Sequence, residues 1–487
     1  MKRSRKVFMI GWEYPPRITG GLAIACRGIA RSLSALGHRV EFLIPRLPEN
    51  SLDDQGVRVF APEPEFFTET ELTLYAEQWR RFQSGITPSP YESDLVGPAS
   101  HRAGDATHPV ASSGTRLHGL ERSVTKLAAP LLEGGYGDHI YREIHAFAQL
   151  ATLLAAKGDY DIIHAHDWMT FPAALSAAHA TGLPVVCHIH ATEFDRSGER
   201  VNQYIYDLER HALLACHHII TVSNYTRKIL IDRYGAPPEK ITAVHNAVEF
   251  ELPERPQSEG EKISRAPRGL KVEAGKAIEA KDPPEKANDP RDRIVLFLGR
   301  ITFQKGPDYF VRAARKVVEQ LNGSRVRFVM VGAGDMYARM IELAADLGIG
   351  KYFHYTGFLN REQVQRIYAM SDLYVMPSVS EPFGISPLEA MVHGVPVIVS
   401  KQSGVSEVIS NCIKVDFWNV DAIADAIVRV LEDGQDRARL QENGRAEVSQ
   451  ITWSAAADRI TDVYESLLDE DAKGPARSIA RVGRIKK

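Results

Sequence analysis

Residues 378–392 read SVSEPFGISPLEAMV, and the patterns on either side of them decide the fold. The apolar run Leu373–Met376 before them is typical of a buried parallel strand, and the residues after them continue as a helix. A turn from strand to helix faces the ligand crevice of an open α/β sheet. This turn carries Glu381, with Glu389 eight positions later and Gly384 between them allowing close backbone approach. We therefore predict a binding site here.

Glu389 also has a purely structural interpretation. In Ser386-Pro387-Leu388-Glu389, the serine fits the N-cap of a helix and the proline fits its first position. Glu389 would then reach back to the amide of the cap, as in a capping box. The pattern leaves both roles of Glu389 open. Glu381 has no such alternative, because it precedes the cap.

Length and composition indicate a globular protein with more than one domain. At about 150 residues per domain, a chain of 487 residues is too long for one ordinary core, and two large domains fit best. The apolar content of 44% and charged content of 25% are ordinary for a soluble protein. A net charge of -3 gives no reason to expect a nucleic-acid partner.

The cysteines and the apolar runs bear on the compartment. The four cysteines lie in apolar segments without metal or disulfide spacing, which favours reduced, buried thiols. The apolar run Val7–Ile10 is too short for a signal peptide, and no run approaches the roughly 20 apolar residues of a membrane span. We therefore predict a cytoplasmic protein.

Composition also divides the chain into segments. The stretch 251–293 holds ten acidic residues, ten basic residues and six prolines, which is typical of a solvated linker. The basic tail is predicted to be flexible, with contact to a membrane or polyanion as the alternative. The predicted segments are a Rossmann-like N-terminal domain (1–250) containing a mobile insertion (83–118), a disordered linker (251–293), a Rossmann-like C-terminal domain (294–450), a last helix (451–470) and a tail (471–487).

The first strand-loop-helix unit carries a candidate anion site. A strand over 6–11 is followed by a loop that ends in Gly20-Gly21, and apolar residues at helical spacing run over 22–36. Free amides at the positive end of a helix suit a phosphate. A tight turn without a ligand is the alternative.

Two predicted strands of the first domain end in histidine pairs, His164 with His166 and His188 with His190. Alternate residues of a strand share a face, so the pairs are expected to converge near Asp167. A metal site is one interpretation. Histidines that hydrogen-bond to neighbouring groups are the other.

The second domain opens with the apolar strand Ile294–Leu298, followed by GRITFQKG at 299–306. Arg300 and Lys305 there suit a diphosphate, Arg by its fork of donors and Lys as a compact charge. A solvated surface pair is the alternative. After the next strand the dinucleotide fingerprint fails, because Tyr337 occupies its third glycine position, so a nicotinamide cofactor is not expected.

Several of these segments together resemble one enzyme family. The pattern E-P-F-G-x-x-P-L-E-A is similar to the signature of retaining glycosyltransferases of family 4, which include glycogen and starch synthases. The segments WEYPPRITGGL (12–22), PVVCHIHATEFD (184–195) and GRITFQKG resemble the same group. The resemblance implies the GT-B architecture, in which two Rossmann-like parallel-sheet domains face a central cleft. It also implies that the last helix packs back on the N-terminal, acceptor-side domain.

The resemblance also implies roles for individual residues. Arg300 and Lys305 are expected to hold the leaving phosphates, and His190 to contact the donor sugar near the reacting carbon. The predicted catalytic residues are His190, Glu381, Arg300 and Lys305. The predicted donor-binding residues are Gly20, Gly21, Arg300, Lys305, Gly384 and Glu389, the last at the nucleotide ribose, and no metal is expected.

The implied reaction is hexosyl transfer, with glucose favoured, from an ADP-, UDP- or GDP-linked sugar to a carbohydrate acceptor such as an α-glucan, with retention of configuration. The nucleotide sugar is a substrate, and no cofactor is expected. Three alternatives stay open: a transferase for a lipid-linked or capsular polysaccharide, a phosphorylase or hydrolase-like enzyme of the same fold, and a non-catalytic scaffold that binds nucleotide sugars.

Overall fold

The computed structural model describes residues 3–16, 20–47, 51–75, 132, 140–249, 292–322 and 325–473. Within these ranges the chain forms two α/β sheets, one in the N-terminal half (residues up to 249) and one in the C-terminal half (residues from 292). The predicted α/β class with two parallel-sheet domains is confirmed. The predicted insertion, the tail beyond residue 473 and nearly all of the predicted linker lie outside the described residues.

The N-terminal sheet has the strand order β3-β4-β2-β1-β5-β6-β7-β8. All neighbouring strands are parallel except β3 and β4, which form an antiparallel pair. The strands are β1 (Lys6–Ile10), β2 (Arg39–Leu43), β3 (Ser51–Asp54), β4 (Val57–Phe60), β5 (Ile162–His166), β6 (Val185–Ile189), β7 (His218–Thr221) and β8 (Ile241–Ala243).

The C-terminal sheet is parallel throughout, with the strand order β11-β10-β9-β12-β13-β14. Its strands are β9 (Arg293–Leu298), β10 (Val326–Val331), β11 (Phe353–Gly357), β12 (Leu373–Met376), β13 (Val397–Ser400) and β14 (Ile413–Val415). In each sheet the strand order reverses at the first strand of that half, β1 or β9. A ligand crevice lies at the carboxyl ends of the strands at such a point.

Helices cover both faces of the sheets, which is why the central strands are apolar and buried along nearly their whole length. The helices named below are α1 (Gly21–Ala35), α2 (Ile140–Lys157), α3 (Phe171–Thr181), α4 (Glu193–Ser197), α5 (Gln203–Ala215), α6 (Asn224–Ile229), α7 (Pro307–Gln320), α8 (Tyr337–Asp346), α9 (Arg361–Met370), α10 (Ile385–Val392), α11 (Val420–Glu432), α12 (Gly434–Val448) and α13 (Trp453–Lys473). Among the described residues, no helix is both long enough and apolar enough to cross a membrane.

Helix α13 follows the C-terminal half in sequence but packs on the N-terminal sheet. Trp453 lies so close to α1 that a Cβ atom on Gly28 would fall 2.3 Å from its ring. The Tyr464 hydroxyl lies 2.5 Å from His164 Nδ1, and Thr461 bonds to His38. The last helix therefore ties the C-terminal end of the described chain to the N-terminal sheet.

Candidate active site

The loop after β9 places a lysine beside the turn after β12. Lys305 ends a short helical turn and is followed by Gly306, whose φ is +60°. A Cβ atom on Gly306 would lie 2.2 Å from the carbonyl oxygen of Pro377. Only glycine combines this backbone conformation with so close an approach. The two loops therefore pack directly on each other.

Lys305 and Glu381 form an ion pair at this contact. The Lys305 ammonium lies 2.5 Å from Glu381 Oε2, and the Ser378 hydroxyl donates to the same oxygen at 3.1 Å. Glu381 is only 6% exposed. Its backbone amide donates to the carbonyl of Gln402, and its carbonyl accepts from the amide of Gly404. The carboxylate is therefore fixed at the carboxyl ends of β9, β12 and β13.

Arg300 is an exposed residue in the same loop as Lys305. It donates one hydrogen bond of 3.3 Å to the side chain of Gln304. Gln304 is buried, and its carbonyl accepts from the amide of Val379 at 2.9 Å. The loop is thus tied to the turn that carries Glu381, while Arg300 stays open to a ligand in the crevice.

The capping-box interpretation of Glu389 is wrong. Helix α10 begins at Ile385, with Gly384 at its N-cap in the left-handed conformation (φ +97°), so Ser386 lies inside the helix. Glu389 Oε2 instead accepts a 3.0 Å hydrogen bond from the Tyr368 hydroxyl. Burial raises the pKa of Glu389, although the hydrogen bond from Tyr368 opposes that rise.

Gly384 packs against Glu381, since a Cβ atom on Gly384 would lie 3.1 Å from Glu381 Cγ.

The change Glu389→Gln separates the ligand-binding role from a structural one. If Glu389 binds the ribose, we expect nucleoside diphosphate affinity to fall about tenfold, the cost of one hydrogen bond to a charged group. The folded pKa lies above the unfolded 4.5, so wild-type stability falls as pH rises from about 4.5 through the folded pKa. The variant lacks this loss, so at pH 8 its melting temperature should equal or exceed that of the wild type.

Titration calorimetry gives the affinity, and thermal unfolding at about pH 5 and pH 8 gives the stability difference. Tyr368→Phe is the matched control, because it removes the hydrogen bond to Glu389 but keeps the carboxyl group. A lower melting temperature with unchanged affinity in Glu389→Gln would show that this residue is structural.

The glycine pair of the N-terminal half lies at the start of α1. Gly20 and Gly21 are exposed, and a Cβ atom built on either meets no atom of the described residues within 4 Å. Gly20 is the N-cap of α1, so no side chain of the cap residue accepts a hydrogen bond from the first amides of the helix. No described residue therefore crowds the positive end of α1, which suits an anion. Residues 17–19, just before it, lie outside the described residues.

Four histidines at the ends of β5 and β6 form a stack, as their alternation in sequence predicts: His164, His166, His188 and His190. Burial lowers the pKa of all four, so they are neutral. Potential metal ligands do lie close together, with those of Cys26, His166 and His190 within 4.8 Å of one another. His164 Nε2 lies 3.1 Å from His188 Nδ1 and His166 Nδ1 lies 2.9 Å from His190 Nε2, so these ring nitrogens hydrogen-bond to each other, as the second interpretation expects. We assign them no metal.

His190 is held by two neighbours. Its Nε2 lies 2.9 Å from His166 Nδ1, and its backbone amide donates to Asp167 Oδ1 at 2.7 Å. Burial lowers the pKa of His190 to about 3 and raises that of Asp167 to about 6. A neutral, half-buried imidazole can hydrogen-bond a sugar but does not carry charge at neutral pH.

The N-terminus of α6 joins the two halves near the site. The Ser223 hydroxyl donates to the carbonyl of Pro382 at 2.6 Å. Glu407 accepts from the backbone amides of Asn224 and Tyr225, at 2.9 and 2.7 Å, and lies 2.7 Å from His245 Nε2. Although burial acts to raise it, these hydrogen bonds lower the pKa of Glu407. A carboxylate of one half thus caps a helix of the other.

The structure brings some predicted residues together and leaves others apart. Glu381 pairs with Lys305 and packs against Gly384, and Arg300 lies in the same loop as Lys305. Glu389 bonds to Tyr368. The contacts across the halves were not predicted, because partners such as Ser223 and Pro382 are 159 residues apart in the chain.

Three protein-family models match the chain. Residues 6–88 match the starch synthase catalytic domain, residues 99–252 match glycosyltransferase family 4, and residues 279–447 match glycosyl transferases group 1. With the two sheets described above, these matches show that the chain has the GT-B fold and resembles glycosyltransferases along most of its length. The predicted resemblance to family 4 and to starch synthases is confirmed.

Among known proteins, the chain is similar to an uncharacterised glycosyltransferase of Methanocaldococcus jannaschii. The two are 27% identical over 95% of this chain and 99% of the relative. Two solved structures share the fold. Sucrose-phosphate synthase from Thermosynechococcus elongatus has a TM-score of 0.65 at 17% identity, over 96% of this chain and 100% of that one. The catalytic domain of starch synthase IV from Arabidopsis thaliana, bound to ADP and acarbose, has a TM-score of 0.62 at 15% identity, with the same coverage.

Proposed function

We propose that the protein transfers a hexosyl group, glucosyl in the first instance, from a nucleotide-diphosphate sugar to a carbohydrate acceptor with retention of configuration. The observation that carries this proposal is the Lys305–Glu381 pair at the carboxyl ends of β9 and β12, with Arg300 exposed beside it. The similarity to a starch synthase structure that holds ADP supports the nucleotide donor.

Departure of the diphosphate is the step that the site can assist most. As the bond from the anomeric carbon to the phosphate oxygen breaks, negative charge grows on the diphosphate. Arg300 and Lys305, with the amides of Gly20 and Gly21, are proposed to stabilise that charge by electrostatic preorganisation. In the ion pair, Glu381 keeps Lys305 at this position before the donor arrives.

The carboxylates and His190 are proposed to hold the rest of the donor. Glu381 would accept hydrogen bonds from sugar hydroxyls, Glu389 from the ribose, and neutral His190 would contact the sugar near the reacting carbon. The acceptor hydroxyl forms the new bond to the anomeric carbon and loses its proton, which the departing phosphate can accept. No covalent enzyme intermediate and no metal enter this scheme.

A thermal-shift screen of ADP-, UDP- and GDP-linked sugars tests the proposal. One nucleotide series should raise the melting temperature, because a ligand at 100 times its Kd stabilises the folded state by about 2.7 kcal/mol. The matching donor is then assayed for nucleoside diphosphate release with an α-glucan and with a lipid-linked saccharide as acceptors. Binding without transfer to any acceptor would favour a scaffold. The absence of both binding and release would contradict the proposal.

A further inference from the structure

Ser380 lies one residue before Glu381, yet its hydroxyl bonds to side chains of the N-terminal half. Its Oγ donates to Asp195 Oδ1 at 2.5 Å, and the Tyr225 hydroxyl lies 3.0 Å from the same Oγ. Because a serine hydroxyl has a single proton, Tyr225 is the donor in the second bond. Ser380, the residue next to Glu381, is therefore held by Asp195 and Tyr225 from the other half of the protein.

Asp195 is a fixed anchor for this contact. It is 2% exposed, and its Oδ2 accepts from the amide and the hydroxyl of Thr192, both at 2.7 Å. These bonds form a capping box at the start of α4. Its remaining oxygen points to Ser380. A hydrogen bond to a buried carboxylate is stronger than one between neutral groups.

The turn that carries Ser380 is tied on its other side to the cationic loop. The amide of Val379 donates to the carbonyl of Gln304, the residue before Lys305. Lys305 in turn pairs with Glu381. Ser380 thus connects the docked N-terminal half to both members of the ion pair, without itself belonging to the pair.

We propose that Asp195 and Ser380 are positioning residues, which place Glu381 for transfer only while the two halves are docked. The inference rests on the proposed function of that pair. It requires neither residue to touch the substrate. Loss of the Ser380 hydroxyl should therefore lower turnover far more than it lowers binding of the diphosphate, because Arg300 and Lys305 remain in place.

The variant Ser380→Ala tests this inference. We expect kcat to fall about tenfold, since small misplacement of reacting groups is costly, and the Kd for the nucleoside diphosphate to stay within about twofold of wild type. Ser380→Thr keeps the hydroxyl and should retain at least about half of kcat. In a Glu381→Gln background, removal of the Ser380 hydroxyl should change kcat less than about twofold, because the group that it positions is already impaired.

Ser406→Ala is the matched control, because the Ser406 hydroxyl bonds only to carbonyls of its own half in the described structure, and kcat should not change. A normal kcat in Ser380→Ala, or a full tenfold loss in the Glu381→Gln background, would overturn the positioning role. Arg300→Ala is assayed in parallel. Its inactivity beside a normal Ser380→Ala overturns this inference alone, whereas a wild-type protein that neither binds a nucleotide sugar nor releases nucleoside diphosphate overturns the proposed function.

Discussion

Replacing Lys305 by alanine is expected to lower kcat by about 100-fold or more. Loss of one preorganised donor to a developing oxyanion costs about 10²- to 10³-fold in other enzymes. We expect a loss of this size for Lys305, because its ammonium lies 2.5 Å from Glu381 and Gly306 packs its loop against the end of β12. Arg300→Ala is expected to have an effect of similar size. Steady-state rates of nucleoside diphosphate release measure both effects.

The matched control for Lys305→Ala is Lys316→Ala. Lys316 also forms an ion pair, with Asp421, but on the outer surface of the C-terminal half. An exposed ion pair of this kind contributes little to the free energy of unfolding and lies away from the proposed donor site, so kcat and the melting temperature should both stay near wild type. Near-normal kinetics in both Lys305→Ala and Arg300→Ala would refute the proposed role of the two cations.

Gly404→Ala is expected to abolish most activity by a different route. A Cβ atom at this position would lie 2.3 Å from the carbonyl oxygen of Pro382 and 2.5 Å from Ser223 Cβ. Both neighbours belong to the contact between the halves, and the amide of Gly404 bonds to the carbonyl of Glu381. The methyl group must therefore move the Glu381 turn, separate the halves, or both. We expect kcat to fall about 100-fold, as catalytic groups shift by about 1 Å.

Small-angle scattering of Gly404→Ala and the wild type detects separation of the halves, and the assay of diphosphate release gives kcat. Gly434→Ala is the control, because a Cβ atom there meets nothing within 4 Å. A wild-type kcat in Gly404→Ala would show that close docking at Ser223 is not needed for activity.

Much of the framework could be predicted from local patterns. The strand Leu373–Met376 was predicted with its observed bounds, because an apolar run between turn residues has few alternatives. The pairing of the histidines follows from the two-residue period of a strand. The neighbours of Gly384 are the side chains of Glu381 and Met376 and not another backbone segment, and its place as the N-cap of α10 was not predicted, because Ser386-Pro387 gave a competing and stronger capping signal.

The contacts that complete the site could not be read from the sequence. Ser380 and Asp195 are 185 residues apart in the chain, and their contact depends on how the two sheets dock. A single serine or aspartate in a loop carries no local signal of such a partner. Helix α5 was not predicted either, although it supplies Glu209, which receives a hydrogen bond from the amide of Glu193 at the start of α4.

The structure of the protein with a bound nucleotide-diphosphate sugar tests the central claim most directly. The account predicts diphosphate oxygens within about 3.5 Å of both the Arg300 guanidinium and the Lys305 ammonium, in hydrogen-bonding reach. It also predicts a sugar hydroxyl on the Glu381 carboxylate. A diphosphate bound away from these two cations, with Lys305 and Glu381 still paired only to each other, would contradict it.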